Sequence, residues 1–178
     1  MKRLYQTVGV IFMVVVVAFI WQRLFGEGSV APRLVSSQPV ALIGAESDEA
    51  VAVAADGTIL AWFPVPEEPT LPSLPLDVPP EGPRLQGPML EQARVLGACP
   101  PALRPYVARS YYGESGVEVE LESGIELRFG EATQAARKWR AAAAVLADPS
   151  IESLDYVDLH APGRSATYGS GHALPPIP

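Results

Sequence analysis

At 178 residues, 48% of them hydrophobic and 19 of them proline, the chain has room for one ordinary domain plus a membrane segment and is too proline-rich for a purely helical fold. Its net charge of −7 comes without a basic stripe, which argues against a nucleic-acid surface, because neutralising phosphates takes clustered Lys and Arg. One cysteine and two histidines exclude a disulfide framework, a cysteine zinc site and a histidine cage, so no metal or cofactor is expected.

Residues 1–4 carry Lys2 and Arg3, and Val8–Trp21 follows without a charge. Extending this run to Tyr5 and Phe25 adds as polar intrusions only Gln6, Thr7, Gln22 and Arg23, near the ends where side chains reach the headgroups. The span 5–25 is therefore expected to be a transmembrane helix of about 31 Å with a cytoplasmic N-terminus. Ser29-Val30-Ala31 also has the form of a signal-peptide cleavage site, although Pro32 would then occupy the unfavourable first mature position. Both readings place the remainder outside the cytoplasm.

Residues 26–37 read as a connector, and Pro39–Ile43 as a short strand. A hairpin is expected next: Val51–Ala55, a two-residue Asp56-Gly57 loop, and Thr58–Trp62. Val53 would then face Leu60 and Val51 would face Trp62, all on one buried side. From Pro64 to Pro88 the proline density predicts a long, extended surface connection. Met89–Leu96 predicts a short helix with Met89, Leu90, Ala93 and Leu96 on one face, and Pro100–Val107 a further helical turn. Cys99, beside Leu96 and Pro100, reads as a buried structural thiol.

The second hairpin is better specified. Val117, Val119 and Leu121 alternate with glutamates, as do Ile125, Leu127 and Phe129 with Glu126 and Arg128. The apolar faces agree only if Glu122-Ser123-Gly124 forms a three-residue turn with Gly124 left-handed, so that Leu121 opposes Ile125 and Val119 opposes Leu127. Glu131–Ala147 predicts a helix with Ala132, Ala135, Trp139, Ala142, Ala143 and Leu146 in one stripe, ended by Asp148-Pro149. Asp155–His160 predicts a strand with Val157 and Leu159 inward, and Arg164–Tyr168 a final strand; Gly169–Pro178 reads as a flexible tail. The fold class is thus α+β: one N-terminal transmembrane helix, then a small mixed α/β domain (38–168) of mainly antiparallel sheet with flanking helices and an exposed C-terminal edge strand.

No nucleophile elbow, P-loop, His-Glu-x-x-His or dinucleotide fingerprint occurs. Ser170, between two glycines and beside His172, has no acid and no scaffold. Asp155/Asp158 and Glu118/Glu120 read as polar strand faces, and Arg137, Lys138 and Arg140 as one solvated helix face, with an edge-capping role equally open for Lys138. Neither an enzyme nor a small-molecule substrate is expected.

The ordered segments Q-P-V-A-L-I, A-D-G-T-I-L, L-P-S-L-P, V-E-V-E-L-E-S-G-I-E-L-R-F-G, a helix carrying Lys138, and Y-V-D-L-H-A-P-G-R resemble the FtsQ/DivIB family of bacterial division proteins. Pro39–Leu60 and Val117–Arg164 match best. The resemblance implies a scaffold of the division machinery, at the cell membrane and the septum, to which FtsB-like partners with FtsL-like proteins alongside add a strand. Carried onto this sequence, the docking surface is His160, Ala161, Gly163, Arg164, Ser165, Ala166, Thr167 and Tyr168. The POTRA domain usual between anchor and β domain is not seen in residues 26–37, which hold at most its final strand as Arg33–Ser37. That puts in doubt the recruitment role the family gives it. The alternative is a diverged membrane-anchored binding module of the cell envelope not tied to division.

Overall fold

The structure is a computed structural model that describes residues 38–45, 49–65, 70–161 and 163–176. The expected transmembrane helix 5–25 and the connector 26–37 lie outside the described residues, among which no helix is long and apolar enough to cross a membrane.

In chain order the elements are β1 (Pro39–Ile43), β2 (Val51–Ala54), β3 (Ile59–Leu60), α1 (Gly87–Gly97), a 3-10 turn (Arg104–Tyr106), β4 (Val107–Gly113), β5 (Gly116–Leu121), β6 (Glu126–Gly130), α2 (Ala135–Leu146), β7 (Ser153–Asp158) and β8 (Ala166–Ala173). They form an antiparallel sheet β1-β2-β3 and a mixed sheet β4-β5-β6-β7-β8. The one parallel pair between strands of the second sheet, β6 with β7, is the two strands of a β-α-β crossover through α2.

Residues 72–76 join the two sheets. Leu42 N donates to Pro72 O at 2.9 Å and Leu74 N to Leu42 O at 2.8 Å, while on the other side Ser73 N donates to Ala108 O at 3.1 Å and Ser110 N to Ser73 O at 3.0 Å. The expectation of a surface connection is corrected here. Proline lacks one donor, but Pro72 still accepts, and Ser73 and Leu74 supply the N–H groups. Leu74 and Leu85 from the same stretch are buried in the main core.

The β5–β6 hairpin has the expected register: Val119 opposes Leu127, Leu121 N donates to Ile125 O at 2.9 Å, and Gly124 has φ 89°. The first hairpin differs. Ala54 N donates to Thr58 O at 2.9 Å, so the loop is Ala55-Asp56-Gly57, and Val53 opposes Ile59 while Ala52 opposes Leu60. Val53 therefore joins the main core, whereas Leu60 joins a small cluster with Leu42, Ala52 and Ala54 on the opposite face. With both faces of β2 covered, hydrophobic alternation cannot fix its register. Trp62, expected inside opposite Val51, lies beyond the end of β3 and is 74% exposed.

Trp139 is fully buried, packs on Phe129 at 4.9 Å, and donates its indole N–H to Val95 O of α1 at 2.7 Å. Burial pushes the Cys99 thiol up to about 12, in keeping with an inert structural group. Lys138 is not on a solvated face. It is 4% exposed, and its Nζ donates to Phe129 O at 2.7 Å and Glu131 O at 2.9 Å, capping the carbonyls where β6 ends. Glu118 stays on the outer face of β5, but it is buried rather than solvated. The helix expected from Glu131 begins at Ala135, after Gln134 in a left-handed conformation.

Candidate functional site

Among the described residues β8 pairs only with β7, which leaves its other side as a sheet edge. The opposite end of the assembly is covered: Ile59 N donates to Pro83 O at 2.9 Å and Leu85 N to Gly57 O at 2.8 Å, which brackets β3 with residues 83–85.

The final strand is longer than Arg164–Tyr168. It starts at Ala166 and continues to Ala173 through residues expected to be tail, and Tyr106 Oη donates to Pro176 O at 2.7 Å beyond it. Register explains why glycines sit inside a strand. Ala166, Thr167 and Tyr168 oppose Asp158, Val157 and Tyr156, and pairing resumes only at His172 with Leu154. Asp155 alone therefore faces Gly169-Ser170-Gly171, a bulge in the edge strand. Gly171 N donates to Asp155 Oδ1 at 2.8 Å, and a Cβ at either glycine would collide with that carboxylate. Gly169 also has φ 83°. A Gly-Ser-Gly run thus reads as flexible until its partner Asp155 is known.

Of the expected docking residues, Ala166, Thr167 and Tyr168 lie in β8, with Thr167 and Tyr168 exposed. Ala161, Gly163 and Arg164 are exposed in the preceding turn, where Arg164 N donates to Ala161 O at 2.8 Å, and Ser165 is half-buried. His160 anchors that turn. Its backbone N donates to Asp158 Oδ1 at 2.9 Å, its Nδ1 lies 2.7 Å from the same oxygen, and its Nε2 lies 3.0 Å from Ser115 O. A carboxylate and a carbonyl can only accept, so both ring nitrogens carry hydrogen and the imidazolium is the form that fits. The Asp158 bond, opposed by partial burial, raises its pKa above the usual value. Burial alone would raise Asp158, yet the hydrogen bonds from His160 outweigh it and hold the carboxyl low.

The outer face of the sheet carries residues that sequence reading did not single out. Arg128 pairs with Glu126 at 2.9 Å and lies over the Tyr156 ring, 3.7 Å from its centre; Tyr156 stacks on Tyr168 at 5.1 Å; Tyr111 Oη donates to Glu126 at 2.9 Å. Burial, which would raise Glu126, is outweighed by the Arg128 and Tyr111 hydrogen bonds, so its pKa is lowered. Alternation of Tyr156 and Arg128 with the core residues was the available signal; their proximity was not, because it depends on the parallel β6–β7 pairing.

Among the described residues there is no group of three or more metal-ligating side chains. A concavity of about 700 Å³ lies away from β8, between Gly44 and Tyr111, and its Arg109 is already paired with Glu120 at 2.6 Å. What the edge does offer is main chain: unpaired N–H and C=O groups that another extended segment can complete.

Residues 41–160 match the family model described as cell division protein FtsQ/DivIB, C-terminal. The match spans β1 to His160 and stops short of β8. No curated protein matches the chain.

Proposed function

The chain belongs to the FtsQ/DivIB family, a non-enzymatic family of cell-division proteins, and from that premise we propose that it is a scaffold of the division machinery whose β8 edge receives an extended segment of an FtsB-like partner, with an FtsL-like protein alongside. The observation that carries this reading is the contrast between the two ends of the sheet, one bracketed by the chain's own residues 83–85 and the other left open along β8. A strand added there completes the backbone ladder, while the turn from His160 to Ser165 presents side chains beside it. In this reading residues 5–25 anchor the domain in the cell membrane and deliver it outside the cytoplasm at the septum.

Co-purification from cell membranes tests the proposal. The full-length chain is expected to retain FtsB-like and FtsL-like proteins, and recovery of neither would overturn it. A phosphatase reporter fused after Pro178 is expected to be active and a cytoplasm-only reporter dark; the reverse pattern would remove the export on which the reading depends.

A further inference from the structure

The outer face of the sheet carries a row of stacked groups that leads to the open edge. From the β6 side, the Arg128 guanidinium lies 3.7 Å from the centre of the Tyr156 ring and is steadied by Glu126 at 2.9 Å. From the β8 side, Tyr168 sits in register with Tyr156, the rings 5.1 Å apart and 17° from parallel. The row runs cation, ring, ring from strand to strand and stops at Tyr168, which is 56% exposed; among the described residues no further ring or cation lies against it.

Resting on the docking reading above, we propose that Tyr168 selects the partner: the added strand presents an arginine in register with Tyr168 on the outer face, and its guanidinium covers the open side of the ring. Three observations give the partner this chemistry. The face of a tyrosine ring is negative and attracts cations, and Arg128 already uses that attraction one ring further in. The Asp155 carboxylate, at the bulge next to Tyr168, is exposed and accepts from Gly171 N, so the site favours an incoming cation over an anion. The nearest Lys or Arg in sequence, Arg164, is in the turn four residues upstream, roughly 13 Å along an extended chain. Arginine rather than lysine fits because a planar guanidinium stacks and still donates laterally, whereas an ammonium is a compact, strongly hydrated point charge. The stack thus supplies specificity where a main-chain ladder supplies none.

The test titrates the full-length chain in detergent with the extracytoplasmic segment of the FtsB-like protein from the same cell. Tyr168→Ala is expected to bind roughly 3- to 30-fold more weakly, the range for a cation on an aromatic face, and Tyr168→Phe, which keeps the ring, to lose less than Tyr168→Ala. One arginine of the segment, changed to alanine, should cause the same loss and add nothing further to Tyr168→Ala. Unchanged circular dichroism would show that the exposed Tyr168 variants remain folded. If Tyr168→Ala binds normally, or couples to no arginine, while proline in β8 abolishes binding, the edge docks a strand and the arginine proposal is wrong. If the segment fails to bind the parent chain, the docking reading itself falls and takes this proposal with it.

Discussion

At the β3 end of the sheet, the chain returns upon itself. Residues 83–85 hydrogen-bond to Gly57 and Ile59, Arg84 pairs with Asp56 at 3.0 Å, and Leu85 inserts into the core. At the β8 end no such bracket occurs among the described residues: Thr167 and Tyr168 are exposed, and the main interruption is the bulge around Asp155. Both ends face the same physical problem, a row of backbone donors and acceptors that water or another chain must satisfy. One is closed within the molecule by a proline-flanked segment. The other is left available over a short stretch, with the bulge limiting how far an added strand can follow.

A change in the core beneath both ends should not discriminate between them, and it sets the upper bound. Trp139→Ala removes a fully buried ring and its bond to Val95 O, and it should cost about 3–5 kcal/mol in urea unfolding, enough to unfold a marginal domain and abolish binding with it. The closed end can be weakened alone. Leu85→Ala leaves a cavity under the bracket and should cost about 2–5 kcal/mol, while affinity for an FtsB-like segment in native buffer stays at the parent value. A matching loss of affinity would mean that the β3 end takes part in docking and that the contrast between the ends is illusory.

Proline at the open end separates fold from function. Along β8 and the residue before it, successive residues point their N–H and C=O groups alternately toward β7 and toward the edge, so Ser165→Pro, Ala166→Pro and Thr167→Pro should not behave alike. At an outward position proline should abolish binding and leave unfolding unchanged; at an inward one it should remove a ladder bond and cost about 1–3 kcal/mol of stability. Alanine at Ser165 or Thr167 keeps the backbone intact and should shift stability by less than about 0.5 kcal/mol. Three folded proline variants that all bind normally would move the docking site off β8.

The closed and open ends were unequally legible in the sequence. The β5–β6 hairpin could be read residue by residue because one of its faces is apolar and the other charged, so only one turn length satisfies both strands. The β2–β3 hairpin could not: Val-Ala-Val-Ala is buried on both sides, and no pattern told Val53 from Ala52. β4, Val-Ala-Arg-Ser-Tyr-Tyr-Gly, is buried only at Val107 and Ser110 and carries no hydrophobic alternation to find. The bracket at residues 83–85 was hidden by prolines that usually signal a loop. At the site, the open edge and its first residues were foreseen, but the Gly169–Ala173 continuation was not, since its glycines make sense only against Asp155. The Arg128–Tyr156–Tyr168 row depends on strand order, which no local pattern records.

A small, pH-dependent effect tests how the open end is held in place. His160 ties the turn before β8 to Ser115 at the β4–β5 turn, and both of its ring contacts require the imidazolium. The charged groups around it are Asp158, which favours the charged form, and Lys138, which opposes it; the Asp158 bond is the dominant influence and partial burial the main opposition. Because the folded pKa lies above the ordinary value of 6.5, the clamp's contribution to stability is fully present below the unfolded pKa and is lost as pH rises through the folded one. His160→Gln keeps a hydrogen-bonding side chain but cannot carry the charge. The difference in unfolding free energy between parent and variant should therefore be largest near about pH 6 and shrink at about pH 9. At its largest it should stay below about 1 kcal/mol, because the pair is partly solvated. A difference that grew with rising pH would show that His160 is held neutral, and the docking turn would then be held by the backbone bonds of His160 N to Asp158 and Arg164 N to Ala161 with one ring contact at most.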